Sequence, residues 1–297
     1  MIEVIAVVGP TASGKSALAL RAAEALGGEI VSADSRQVYR GMDIGTDKPT
    51  VDERARVPHH LIDVADPEER YDVSRYQREA RVALAGCAAR GVPAIVVGGT
   101  GLYVRALLDG LALSELPSDP SLRAELERRS AAEGAAALQA ELRAHDPAAA
   151  AWTDPRNVRR VIRYLEIAML AGTVPQRRAG AIAAPRVGLD PPRDALYAAI
   201  ERRVRAMVDA GVLAEAARLL ERGIDLRLPS MTAHGYLHWV RHLRREIELA
   251  SAIALTARDV RAYSRRQMTW FRRDRSVRWV DPGRTDPLPA LLDAIRR

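Results

Sequence analysis

The first sixteen residues constrain the fold more than any other stretch of the chain. Ile2 to Val8 is an apolar, β-branched run that leads directly into Gly9-Pro-Thr-Ala-Ser-Gly14-Lys15-Ser16. Such a run, bounded by Gly-Pro, is expected of a strand buried on both faces. The segment that follows has the spacing G-x-x-x-x-G-K-[ST] of a phosphate-binding loop. Gly9, Pro10, Thr11, Ala12, Ser13 and Gly14 would wrap backbone N–H groups around a di- or triphosphate. Lys15 would bring a point charge to the outer phosphates, and the Ser16 hydroxyl is suited to ligate Mg²⁺. Ser16 to Leu26 then reads as a helix ending at Gly27-Gly28. Strand, loop and helix in this order are the context that such a loop requires.

Lysine is otherwise almost absent. Only Lys15 and Lys48 occur among 45 cationic side chains. Arginine has replaced lysine wherever a long cation suffices, so the two that remain are expected where a compact ammonium is needed.

Glu29 to Ala33 reads as a second short strand with Asp34 at its carboxyl end, and Val73 to Arg90 as a helix stopped by Gly91. Pro93 to Val97 is a third buried strand, running into Gly98-Gly99-Thr100-Gly101. Strands alternating with helices imply an α/β fold, a parallel sheet with helices on both faces. Ligands of such sheets gather at the carboxyl ends of the strands. The loop, Asp34 and Thr100 should therefore converge on one crevice.

From Leu113 the character changes. Residues 113–185 carry helical patterns rich in Ala, Arg and Glu, punctuated by prolines including Pro117, Pro147 and Pro175, with no convincing strand. They read as an all-helical insertion domain, dividing a core made of residues 1–112 and 186–297. Val187 to Asp190 looks like a return to the sheet. Asp194 to Glu221 and Glu246 to Phe271 read as long helices, and Val277 to Val280 as a last strand.

A net charge of +7 and a pI near 10.0 suggest a polyanionic partner. The excess is concentrated. Residues 258–278 hold eight arginines against two acids, and residues 156–163 hold four arginines and no acid. Each cluster alone also fits a solvated helix face; two of them beside a phosphate loop point toward nucleic acid. Cys87 is the only cysteine, which excludes an intrachain disulfide and fits a reducing compartment and a buried packing role. The chain has no signal-like start and no run approaching ~18 apolar residues, so a soluble cytoplasmic protein with no membrane partner is expected. His234, His238 and His242 recur every four residues and could line one helix face as metal ligands. Only Glu246 joins them at ligand spacing, which favours packing instead. His59-His60 are expected in the crevice wall.

Asp34-Ser35-Arg36-Gln37-Val38-Tyr39 follows the second strand. A carboxylate at a strand end can accept a proton or hold Mg²⁺ through water, and it can also simply cap a turn. Ser35, Arg36 and Gln37 place beside it the hydrogen-bonding groups that reading a base edge requires.

In order and spacing, these segments resemble the tRNA dimethylallyltransferase (tRNA isopentenyltransferase) family. The resemblance is carried by Gly9–Ser16, Asp34–Tyr39, Gly45-Thr-Asp-Lys-Pro49, Pro58-His-His-Leu-Ile-Asp63 and Gly98-Gly-Thr-Gly-Leu-Tyr103. It continues through Arg159-Arg160-Val-Ile-Arg163 with Leu165-Glu166, and through Arg203-Val204-x-x-Met207 with Gly211. It ends with Arg261-x-Tyr263-x-Arg265-Arg266-Gln267-x-Thr269-Trp270-Phe271. The family's Ile-Gly-Tyr-Lys-Glu reads His234-Gly235-Tyr236-Leu237-His238 here, and its Pro-Asn-Asp reads Pro155-Arg156-Asn157.

The resemblance implies a nucleoside-kinase-like P-loop core with a tRNA-binding helical insertion. It implies transfer of a dimethylallyl group from dimethylallyl diphosphate to N6 of the adenosine 3′ of the anticodon, in tRNAs reading codons that begin with U. Lys15, Mg²⁺ and Arg203 would then hold the diphosphate, Asp34 would take the amine proton, and Thr100 would touch the reacting region. Ser35, Arg36 and Gln37 would line the channel for the target base. Arg123, Arg159, Arg160, Arg163, Arg261, Arg265 and Arg266 would contact the anticodon stem-loop. The expected assembly is a monomer. Two rival readings share the loop: an ATP-dependent small-molecule kinase, and a non-catalytic RNA-binding protein. Against the kinase, no second apolar strand ends in a clear Mg²⁺-binding Asp unless Asp34 is that residue.

Overall fold

The computed structural model describes residues 3–111, 116–174 and 180–295. Ile2 of the expected first strand, and Leu113 and Pro175 of the expected insertion, lie outside the described residues. The chain divides into two compact units, Met1–Gly110 with Ala181–Arg297, and Leu111–Gly180.

The larger unit is built on a parallel sheet. β1 (Val4–Val8) leads through the loop to α1 (Lys15–Leu26), and β2 (Glu29–Ser32) follows. α2 (Val51–Arg56) starts at a capping box, in which the Thr50 hydroxyl accepts from Glu53 N and the Glu53 carboxylate accepts from Thr50 N. β3 (His59–His60) is a two-residue edge strand, α3 (Val73–Arg90) is capped by the Asp72 carboxylate, and β4 (Ala94–Gly98) runs into α4 (Gly101–Leu108). The smaller unit contains α5 (Pro120–Glu133), α6 (Ala135–His145), α7 (Pro147–Trp152) and α8 (Val158–Ala171). The chain returns to the sheet as β5 (Arg186–Leu189), followed by α9 (Arg193–Asp209), α10 (Val212–Glu221), α11 (Tyr236–Leu243) and α12 (Leu249–Phe271). β6 (Val277–Val280) and α13 (Pro287–Ile295) complete it.

The strand order is β3-β2-β4-β1-β5-β6, with every pairing parallel. Side chains of β1 alternate between two cores, as the pleat demands. Val4, Ala6 and Val8 pack with Leu84, Leu107, Ile200 and Phe271, while Ile5 and Val7 pack with Leu18, Ala22 and Leu291. Helices therefore cover both faces. The single helix expected over Asp194–Glu221 is instead two, because Gly211 takes φ +96° and turns α9 into α10. The smaller unit has its own core of Leu126, Leu138, Leu142, Val161 and Leu165.

Register places the carboxyl ends of the central strands level, with Val8 opposite Gly98 and Ser32 opposite Val97. At that level β4 and β2 approach so closely that a Cβ on Gly98 would lie 2.1 Å from the Ala33 carbonyl oxygen. At the other end of β2, Glu29 accepts from Arg90 at 2.9 and 2.7 Å and bonds His60 Nε2 at 2.6 Å. Those bonds, Arg90's first, hold its carboxyl down at about 2. A carboxylate depressed in the folded state contributes stability above its unfolded value and loses it as pH falls through the folded one. Arg90→Gln should accordingly lower stability at neutral pH. In urea melts, that deficit should shrink progressively once pH falls below Glu29's unfolded value. A deficit independent of pH would show that the ion pair is not its cause.

Candidate active site

The phosphate loop closes on itself through Ser13 N donating to Pro10 O at 3.3 Å, and Ala12 sits at φ +63°. A left-handed residue in this position turns successive N–H groups toward one concavity. α1 begins at Lys15 with no side-chain cap at Gly14, so its first N–H groups remain available to an anion. Lys15 Nζ donates to Pro10 O at 3.2 Å, folding back over the loop. Burial pulls the Lys15 amine down to about 8; nearby Asp34 opposes the shift and Arg203 reinforces it.

Asp34 follows β2, with Oδ1 accepting from Arg36 N at 2.8 Å in a tight turn. Thr100 sits at the break between β4 and α4. Its hydroxyl accepts from Ser35 N at 3.0 Å and lies 3.3 Å from Ser35 Oγ. Arg203, from α9, donates to Thr11 Oγ1 at 2.8 Å and pairs with Asp47 at 3.2 Å. Lys15, Asp34 and Arg203 border two adjoining cavities, whereas Thr100 lines neither and reaches them only through Ser35. One carries the charged groups, with Lys15, Ser16, Asp47 and His59 facing Ile30, Ile62 and Val97. The other has an apolar wall of Ile200, Val204, Met207, Val260 and Tyr263. Thr11, Asp34, Thr46 and Arg203 belong to both.

Other candidates are placed differently. Gln37 is a brace: its Oε1 accepts from Ser32 Oγ at 3.2 Å and its Nε2 donates to Asp47 O at 2.8 Å. Arg36 donates to Pro229 O. A base edge read by Gln37 Nε2 would have to displace its carbonyl partners, whereas Arg36 is held to Pro229 through Nη1. His59 lines the cleft, but His60 turns away to Glu29, so only half of the expected histidine pair forms the wall. His238 Nε2 bonds Asp259 at 2.8 Å, His242 bonds Ile247 O, and burial lowers His234 to about 4 where it packs on Tyr263. With partners of their own, these histidines do not form a metal face. Among the described residues one group has metal-type donors close together: Glu29, His60 and Cys87. Arg90 already occupies the carboxylate there. The donors beside the loop are hard oxygens, those of Ser16, Asp34 and Asp47, which suit Mg²⁺.

In the smaller unit, Arg123 and Arg163 both bind the fully buried Glu166 at 2.7 Å, and Glu166 also accepts from Asp119 N. Arg159 and Arg160 are exposed. On α12, Arg261 pairs with Glu201, Arg265 donates to Tyr197 Oη at 3.1 Å, and Arg266 lies 5.7 Å from the Tyr263 ring centre.

The family model described as IPP transferase matches residues 37–274, and that of isopentenyl transferase matches residues 2–62. The chain belongs to the IPP transferase family. It is 49% identical over 282 residues to a tRNA dimethylallyltransferase of Thermomicrobium roseum, covering 94% of this chain and 86% of that one. It is 50% identical over 289 residues to one from Anaeromyxobacter sp., covering 95% and 93%. The solved full-length tRNA isopentenylpyrophosphate transferase of Bacillus halodurans is similar at TM-score 0.74 and 40% identity, covering 100% of this chain and 95% of that one.

Sequence reasoning singled out neither Glu215 nor Gln267 of this IPP transferase. Gln267 Oε1 accepts from Thr11 N at 2.8 Å while its Nε2 donates to Gly99 O at 2.9 Å, tying the loop to the end of β4. Gln267 lies inside the last block of family-like residues, which was its only signal. Lys48, noticed for its rarity, is buried at 1% side-chain exposure and donates to Asp43, Asp63 and Tyr39 O. Three acceptors in different directions suit an ammonium and not a planar fork.

Lys15 gives the loop a pH signature. Above about 8, the free protein loses the charge that an anion would meet. Bound anion favours the charged amine, so binding then requires proton uptake and weakens by up to about tenfold per pH unit. In metal-free calorimetry, inorganic diphosphate should therefore bind progressively more weakly above that pH. Lys15→Met should bind weakly throughout and lack the added fall; an identical pH profile in both proteins would contradict this.

Proposed function

We propose that this chain transfers a dimethylallyl group from dimethylallyl diphosphate to N6 of the adenosine just 3′ of a tRNA anticodon. The observation that carries the reading is the shared border of the two cavities. A donor with an anionic head and a short apolar tail needs a phosphate cradle opening onto an apolar pocket, with its reactive carbon at the junction. Asp34 and Arg203 stand at that junction. The names of the related proteins agree with this chemistry.

In this mechanism the loop N–H groups, Lys15 and Arg203 receive the diphosphate as the allylic C–O bond breaks. They are aimed where negative charge grows. Ser16, with Asp34 and Asp47 near, would hold Mg²⁺, which supplies further charge neutralisation to the leaving group. The tail packs against Ile200, Val204, Met207 and Val260, a wall that excludes water from the electron-poor carbon. Asp34 hydrogen-bonds the exocyclic amine, orients its nitrogen toward that carbon, and accepts the proton as the C–N bond forms. Thr100 holds Ser35 and with it the turn that carries Asp34. The target base leaves the anticodon stack to reach the crevice.

The arginine clusters supply phosphate contacts, which fix register and carry little sequence information. Arg159, Arg160, Arg265 and Arg266 present charge at the surface, whereas Arg123 and Arg163 act through the helical scaffold around Glu166. tRNAs that read codons beginning with U are the expected substrates.

Incubation with unmodified tRNA, dimethylallyl diphosphate and Mg²⁺, read by nucleoside mass spectrometry, should add one dimethylallyl unit to the adenosine beside the anticodon. No mass gain on tRNA would overturn the proposal. Asp34→Ala should slow turnover by about 10²–10⁴-fold with tRNA affinity little changed. A variant within tenfold of the parent rate would remove Asp34 from the chemistry. Arg159→Ala should weaken tRNA binding and reduce its salt slope by about 0.7–0.9. An unchanged slope would mean that Arg159 touches no phosphate.

A further inference from the structure

Glu215 is only 1% exposed, yet no cation is its hydrogen-bond partner. Its Oε2 accepts from Asp43 N at 2.7 Å and Ile44 N at 2.8 Å, and its Oε1 from Gly45 N at 2.9 Å and Tyr236 Oη at 2.6 Å. Three successive backbone N–H groups of one loop thus converge on one side chain from α10. The fourth bond comes from Tyr236, which is fully buried, and whose hydroxyl stays protonated because burial and the neighbouring carboxylate raise its pKa. The arrangement leaves no spare room. A Cβ on Gly45 would lie 2.6 Å from the Tyr236 ring.

The loop held in this way leads into the site. One residue past Gly45, Thr46 lines both cavities. The next, Asp47, adopts φ +54°, pairs with Arg203 at 3.2 Å and accepts from Gln37 at 2.8 Å. Lys48 then pins the far end to Asp43 and Asp63. A left-handed Asp persists only where its surroundings over-determine it. Glu215 fixes one side of it and Lys48 the other.

We infer that Glu215 is a positioning residue: by collecting the N–H groups of residues 43–45 it sets Asp47, and through Asp47 it sets the Arg203 guanidinium over the phosphate loop. Only a carboxylate suits the place, because all four groups around it donate. A glutamine would turn an NH₂ toward donors on one side and leave at least one backbone N–H without an acceptor. The inference rests on the phosphate loop binding the diphosphate end of the donor, as proposed above, but not on prenyl transfer itself.

The test is calorimetric binding of inorganic diphosphate with Mg²⁺ by the whole protein, beside donor and tRNA KM values and a thermal melt. Glu215→Gln should remain folded at assay temperature and bind diphosphate at least about tenfold more weakly. Its donor KM should rise in parallel while the tRNA KM stays within about twofold, since the residue acts on the diphosphate end of the site through Asp47 and Arg203. Tyr236→Phe, which removes one bond of four, should shift diphosphate affinity in the same direction by a smaller factor. Should Glu215→Gln not fold, Tyr236→Phe decides alone. A lowered melting temperature with unchanged diphosphate affinity in either folded variant would make Glu215 a merely structural residue and overturn the inference. If the parent protein binds diphosphate but transfers nothing to tRNA, the proposed reaction fails while the positioning role is still read from the affinities.

Discussion

The structure depends on the close contact between the ends of β2 and β4. Ala33 N donates to Val97 O at 2.7 Å and Thr100 N donates to Ala33 O at 3.2 Å, across a gap that Gly98 keeps open by having no side chain. This contact brings the turn carrying Asp34 against the turn carrying Thr100. Gln267 then ties the second turn to the phosphate loop, with Thr11 N on one side of its amide and Gly99 O on the other. Three segments that leave three different strands are thereby held as one rigid wall. A reaction that must place a carboxylate opposite a leaving group gains its preorganisation from that wall.

Charge inside this protein is organised by buried ions that each gather several partners. Glu215 collects three backbone N–H groups, Glu166 two arginines and an N–H, and Lys48 two carboxylates and a carbonyl. Each would be expensive to bury alone, and each is met by several partners, distant in sequence for Glu215 and close by for Lys48. The basic surplus is correspondingly smaller in effect than its count suggests. Arg123, Arg163, Arg186 and Arg203 are committed to internal partners, so the charge offered to a polyanion comes from exposed residues such as Arg159, Arg160, Arg265 and Arg266.

Local signals were enough for the elements whose limits are local. α3 ends at Gly91 and β6 spans Val277–Val280, as periodicity and turn residues suggested. The start of α2 is written in Thr50 and Glu53, whereas β3 is too short to show a pattern. The break at Gly211 was hidden because apolar spacing continues through it. Within the site, the loop, Asp34, Thr100 and Arg203 could be named from motifs. Glu215 and Gln267 could not, since their partners lie 170 and 256 residues away and only folding brings them together. Gln37, named for its residue type, is seen bonded to Ser32 Oγ and Asp47 O, partners the sequence did not indicate.

The most direct test of the account is a crystal structure of the protein with Mg²⁺ and a non-hydrolysable thio-analogue of dimethylallyl diphosphate. The account predicts the diphosphate on the N–H groups of residues 14–16 with Lys15 and Arg203 upon it, the tail against Ile200, Val204 and Met207, and the allylic carbon facing Asp34. A diphosphate bound elsewhere, or a tail directed away from that carboxylate, would contradict it.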